Sequence, residues 1–145
     1  MTNIRNNYFS FGKKDLKKNI LLLDDDEDDQ LIFASTIKSN FSAYQFVGFF
    51  QYSEMLLFME SHAEECAILF LDLNMPKING LEILKDLRQK DQFKELTILM
   101  FSTSNNPKDI NDCLISGANA FITKPSRIND LIQEIEPYLE SESLV

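Results

Sequence analysis

From Asn19 onward, apolar runs too short to be helices alternate with longer segments of helical period, the pattern of repeated strand and helix units. Five units are present. The strands fall at 19–23, 44–50, 67–71, 97–101 and 119–123, and the helices at 29–39, 53–61, 80–89, 107–116 and 127–139. Three of the strands are almost unbroken apolar runs, as expected where helices cover both faces of a parallel sheet. The crossovers such units demand are right-handed and leave little choice but a doubly wound α/β sheet of five parallel strands, for which the order 2-1-3-4-5 is expected.

Local signals punctuate the helices. Asn106 before Pro107 supplies an N-cap and a first-turn proline, and Gly117 stands where a left-handed terminator belongs. In the last helix Ile128, Leu131, Ile132, Ile135 and Leu139 form an apolar stripe, which Pro137 should kink or fray. Met55, Leu56 and Met59, with Ile83, Leu84 and Leu87, recur at helical spacing and read as core.

Charge narrows the function. The 145 residues carry 14 Lys and Arg against 23 Asp and Glu, a net charge of -9, so a phosphate backbone would be repelled and nucleic acid is not an expected partner. Residues 1–18 hold five basic side chains and one acid, or +4, which leaves the remainder at -13. That stretch reads as a flexible basic extension, 19–140 as the folded domain and 141–145 as a tail. No apolar run approaches the roughly 18 residues of a membrane span, and the polar start lacks a secretory signal's apolar core. Cys66 and Cys113 are too few and too far apart for a disulfide framework or a metal motif and read as small apolar fillers. A cytoplasmic protein is expected.

In doubly wound sheets the ligand binds beyond the carboxyl ends of the strands, where the strand order reverses. The first strand is followed by Asp24, Asp25 and Asp26, the third by Asp72, the fourth ends at Ser102 and Thr103, and the fifth at Lys124 and Pro125. With strands one and three adjacent, Asp24, Asp25 and Asp72 converge. Either one of them binds a proton with a raised pKa, or a hard cation joins them, and an all-oxygen site suits Mg2+. The second alternative is favoured. Lys124 and Ser102 would lie opposite, completing a receptor for a tetrahedral phosphoryl group with Asp72 aimed at phosphorus.

The sets Ile20 to Asp26, Leu71 to Gly80, Phe101-Ser102-Thr103 and Gly117 to Pro125 together resemble the receiver domain of two-component response regulators, which has a flavodoxin-like fold. The resemblance covers about residues 19 to 140. It implies phosphorylation of Asp72 by a sensor histidine kinase or phosphotransfer protein. It further implies Mg2+ held by Asp25, Asp72 and the backbone carbonyl of Asn74, with Asp24 acting through water. Ser102 would be the switch hydroxyl, Lys124 the phosphate-binding lysine, Phe121 the aromatic that swings inward, and the Lys124–Pro125 peptide cis. Such a protein is a phosphoacceptor, with self-catalysed phosphorylation and dephosphorylation, rather than an enzyme acting on other substrates. The roughly 20 residues after Lys124 suffice for one helix, so a single-domain regulator is expected that signals by contact with a downstream protein or by onward phosphotransfer. The family also allows a homodimer.

Other readings carry less. An aspartyl-phosphate phosphatase would want an acid two residues after the nucleophile, where Asn74 stands. A non-phosphorylated binding module would not need every chemical position filled. A calcium loop from Asp24 fails because its sixth residue is Asp29 instead of Gly and its twelfth is Ser35 instead of Glu. Asp28 and Asp29 read as stabilising the first helix through its dipole. The Asn74 side chain could be only a turn former, Gly80 a relaxed backbone position, and His62 a surface residue.

Overall fold

The apolar strand runs pair as a five-stranded parallel sheet in the order β2-β1-β3-β4-β5. The computed structural model describes residues 17–143, with side chains through residue 139. The strands are β1 (Lys18–Leu23), β2 (Tyr44–Phe49), β3 (Cys66–Leu71), β4 (Thr97–Ser102) and β5 (Ala120–Thr123). The helices are α1 (Glu27–Asn40), α2 (Tyr52–Ser61), α3 (Gly80–Arg88), α4 (Pro107–Ile115) and α5 (Ile128–Ser143), with short 3-10 turns at Ala63–Glu65 and Asp91–Phe93. Apart from Lys17 and Lys18, the expected basic extension lies outside the described residues.

The three central strands, β1, β3 and β4, are buried on both faces, alternate side chains pointing to opposite sides of the pleat. Leu21, Leu23, Leu69, Leu71, Ile98 and Met100 meet Met55 and Met59 of α2, Ile83, Leu84 and Leu87 of α3, and Cys113 of α4. Ile20, Leu22, Ile68, Phe70, Leu99 and Phe101 meet Phe33 and Ile37 of α1 and Leu131, Ile135 and Leu139 of α5. The Phe33 ring lies 4.8 Å from that of Phe70 and 5.5 Å from that of Phe101, so α1 is anchored on β3 and β4.

The expected boundaries hold within two residues except at the end of the last helix, expected at 139 and found at Ser143. α1 starts at Glu27 because Asp26 caps it, accepting from the backbone N–H groups of Asp28 and Asp29, which adds two residues that apolar periodicity does not register. α4 begins as the Asn106 and Pro107 signals require, the Asn106 side chain accepting from Lys108 N at 2.8 Å. Gly117 has φ 115°, the left-handed conformation that favours glycine. Ile128 departs from the apolar stripe: it is 54% exposed at the first position of α5. Pro137 is accommodated within α5, which continues to Ser143.

Candidate functional site

The register of the ladders sets the carboxyl edge of the sheet. Leu23 pairs with Phe49 on one side and Leu71 on the other, and one residue further Asp24 N donates to Phe49 O while Asp72 N donates to Leu23 O. The two aspartates are thus held by backbone bonds that extend the sheet. A carboxylate oxygen from each of Asp24, Asp25 and Asp72 lies within 4.8 Å of the others. Asp24 and Asp72 are buried and Asp25 is exposed, so the cluster has a dry floor and a wet rim.

Lys124 is brought in from the other side. Thr123 pairs with Ser102, and Lys124 N donates to Ser102 O at 2.7 Å. Its ammonium then reaches into the acids, 2.9 Å from Asp24 Oδ2, 2.7 Å from Asp29 Oδ2 and 3.7 Å from Asp72 Oδ2, with the Phe101 ring centroid 5.4 Å away. The lysine is within the acidic corner rather than only facing it. Asp29, expected to serve the helix dipole alone, is one of its two hydrogen-bond partners. Its position in the first turn of α1 aims it there, and that orientation depends on how α1 packs.

Burial dominates the titration of this cluster. It raises Asp24 to about 7, against the lowering effects of the Lys124 hydrogen bond and the Asp26 backbone N–H, with the Asp72 charge adding to the rise. Asp72 is also raised by burial, although Lys124 and the Asn74 N–H pull it down and Asp25 pushes it up. Burial alone would lower Lys124, but hydrogen bonds to Asp29 and Asp24 and the charges of Asp24 and Asp72 outweigh it and hold the ammonium above its ordinary value. One cation is shared among several acids, and the corner is still short of positive charge.

Ser102 is fully buried at the end of β4, and its hydroxyl oxygen accepts from Asn74 Nδ2 and Ser104 N, each at 3.2 Å. The Asn74 side chain is therefore more than a turn former, while its backbone N–H donates to Asp72 Oδ1 at 3.3 Å. Phe121 is half-buried and packs against the core between the sheet and α2, α3 and α4. Among the described residues no peptide is cis, so the cis bond expected at Lys124–Pro125 is corrected to trans. Either isomer of a bond to proline is accessible, and motif identity does not select between them. His62 is exposed and stacked on Phe58, remote from the strand ends.

Further residues support the site, and the first of them lies outside every motif stretch. Gln30 is buried on α1, and its Nε2 donates to Phe49 O at 2.8 Å and Asp24 O at 3.1 Å, tying the helix to the strand ends. Asn79 caps α3 by accepting from Leu81 N. Gly80 lets α3 approach the acid loop: a Cβ there would lie 2.2 Å from Asp72 O and 2.8 Å from Leu73 Cα. A cavity of about 460 Å3 opens over the cluster, lined by Asp25, Asp26, Asp29, Asp72, Asn74, Thr103, Lys124, Pro125 and Ser126, so the buried Asp72 remains reachable.

Residues 20–136 match the family model for the response regulator receiver domain. The chain belongs to that family. It is 26% identical over 97 residues to the two-component response regulator ARR16 of Arabidopsis thaliana, covering 67% of this chain and 59% of that one. It is 35% identical over 72 residues to the chemotaxis protein CheY1 of Helicobacter pylori, covering 50% of this chain and 58% of that one. The receiver domain thus aligns with a little over half the length of these relatives. Among solved structures, the CheX-CheY-BeF3-Mg2+ complex from Borrelia burgdorferi superposes with a TM-score of 0.72 at 25% identity, over 83% of this chain and 87% of the other.

The receiver's acidic triad is fit for a metal ion. All its side-chain donors are carboxylate oxygens, the preference of hard divalent cations, and burial has left Asp24 and Asp72 raised, which a bound cation would reverse. No helix among the described residues is long and apolar enough to cross a membrane.

Proposed function

We propose that this receiver accepts a phosphoryl group on Asp72 from a phosphohistidine of a sensor kinase or phosphotransfer protein, with Mg2+ at the triad, and passes the signal to a protein partner. A cytoplasmic location follows from such partners. The observation that carries the reading is the convergence of Asp24, Asp25 and Asp72 with Lys124 around one solvent-reachable carboxylate, to which Ser102 is linked through Asn74.

Asp25, Asp72 and the backbone carbonyl of Asn74 would hold the ion, with Asp24 acting through water, and the bound cation would supply neutralisation of charge on the phosphoryl oxygens. An Asp72 carboxylate oxygen attacks phosphorus, and the new P–O bond forms as the donor's P–N bond breaks, the electron pair leaving on the imidazole nitrogen. Lys124 stabilises a second phosphoryl oxygen by charge, and the Ser102 hydroxyl donates to a third by turning its hydrogen toward the cavity. Asn74 is tied to Ser102 and Phe121 lies on the neighbouring strand, so movement of the hydroxyl toward phosphate can be passed to the face formed by α4, β5 and α5. Downstream contact and any homodimer would use that face.

The phosphatase alternative is weaker because Asn74, at the place where a proton-transferring acid would stand, is an amide already donating to Ser102. Treatment with a small acyl phosphate and Mg2+ tests the choice. A mass gain of one phosphoryl group, abolished in Asp72→Asn, is expected; sustained turnover of external phosphate esters would favour the phosphatase, and no modification with any donor would refute phosphoacceptance.

A further inference from the structure

An ammonium group has three donors to share, and in this structure Lys124 gives its shortest contact to neither the phosphoacceptor nor any member of the acidic triad. Asp29 Oδ2 lies 2.7 Å from Nζ, against 2.9 Å for Asp24 and 3.7 Å for Asp72. The Lys124 side chain is 12% exposed and that of Asp29 26%, so water screens this pair far less than an ordinary surface ion pair. Asp29 stands in the first turn of α1, where the helix dipole favours a negative group, and its backbone N–H is fixed by the Asp26 cap. Gln30, the next residue, fastens the same turn to the ends of β1 and β2. The carboxylate is therefore delivered to Lys124 by a braced piece of backbone.

Resting on the proposed phosphoryl transfer to Asp72, we infer that Asp29 is a positioning residue that competes with the phosphoacceptor for Lys124 and so restrains the phosphorylation rate. Asp29 exchanges no atoms with the donor. It acts through the lysine, whose ammonium must loosen from α1 to meet the phosphoryl oxygens arriving over Asp72. Its negative charge also lies close to where the incoming group adds more. Asp24 cannot play this part, since it lies on the floor of the cluster and accepts from Asp26 N as well as from Lys124. Asp26 is turned away, its Oδ1 bonded to the N–H groups of Asp28 and Asp29.

The test compares wild type with Asp29→Asn, which keeps the shape and removes the charge, and with Asp29→Glu, which keeps the charge. The rate of phosphoryl mass gain is measured with acetyl phosphate and Mg2+, and the Lys124 ammonium is observed by side-chain NMR before any donor is added. The expected result is phosphorylation about threefold to tenfold faster in Asp29→Asn, with a displaced Lys124 resonance, and a rate near wild type in Asp29→Glu. Asp29→Ser, which also removes the charge, should be accelerated as well. Equal rates in wild type and Asp29→Asn, or a slower rate in the variant, would overturn the inference while leaving phosphoacceptance intact. A wild-type protein that gained no phosphoryl group would overturn both.

Discussion

The side-chain nitrogen of Asn74 lies 3.2 Å from the hydroxyl oxygen of Ser102, joining the loop after β3 to the end of β4. Ser102 is fully buried and also accepts from Ser104 N, so Ser102→Ala leaves two donors without that partner. A loss of about 1 to 3 kcal/mol in folding stability is expected. Urea denaturation of the two proteins at one pH measures it; a difference near zero would show that water replaces the hydroxyl.

The elevated Asp24 predicts a pH dependence with a definite sign. Its folded value, about 7, exceeds its ordinary 3.8 because of burial, so the folded state holds this proton more tightly than the unfolded chain. The associated stability is fully present below about pH 4 and is lost as pH rises through 7. Without divalent ions, wild type should therefore lose more stability than Asp24→Asn between pH 5 and 8, by on the order of 1 kcal/mol or more. Parallel denaturation series measure the difference, and identical slopes would contradict it.

The same proton competes with a cation. Mg2+ affinity should rise as pH increases through about 7, with release of a fraction of a proton on binding at neutral pH. Calorimetric titrations in two buffers of different ionisation enthalpy give the proton count directly. Zero release at pH 6.5 would mean that Asp24 is already ionised.

Gly80→Ala should be among the most damaging small substitutions. The added carbon would meet Asp72 O at 2.2 Å and Leu73 Cα at 2.8 Å, and neither is the end of a flexible side chain. The backbone must shift at the residue proposed to accept phosphate. A loss of about 3 kcal/mol or more is expected, read as a lower thermal midpoint together with weakened Mg2+ binding.

Arg88→Lys should fail to substitute. The Arg88 guanidinium donates to Phe93 O at 2.7 Å, Gly117 O at 2.9 Å and Asn119 Oδ1 at 3.0 Å, and that Asn119 oxygen also accepts from Ile98 N. A lysine cannot span three directions with one nitrogen. The variant should lose about 1 to 3 kcal/mol, with hydrogen exchange rising first around 117 to 119.

The sequence alone determined the sheet and the chemical cast. Strand runs such as Ile20–Leu23 and Ile68–Leu71 are apolar on both faces, which only a helix-covered parallel strand tolerates, and the residues after each run must then meet at one edge. Asp24, Asp25, Asp72, Ser102 and Lys124 were legible for that reason, because their proximity follows from topology. What depends on rotamers and on the packing of one helix against another was not legible. Asp29 resembled any acid at a helix start, and only the seating of α1 on Phe70 and Phe101 turned it toward Lys124. Arg88 and Gln30 resembled ordinary polar residues on amphipathic helices, and all but one of their partners, the Asn119 side chain, are backbone carbonyls, which carry no sequence signature. Strand order is written in the period of apolar residues; the partner of each buried polar group is decided by distances that exist only once the chain has closed on itself.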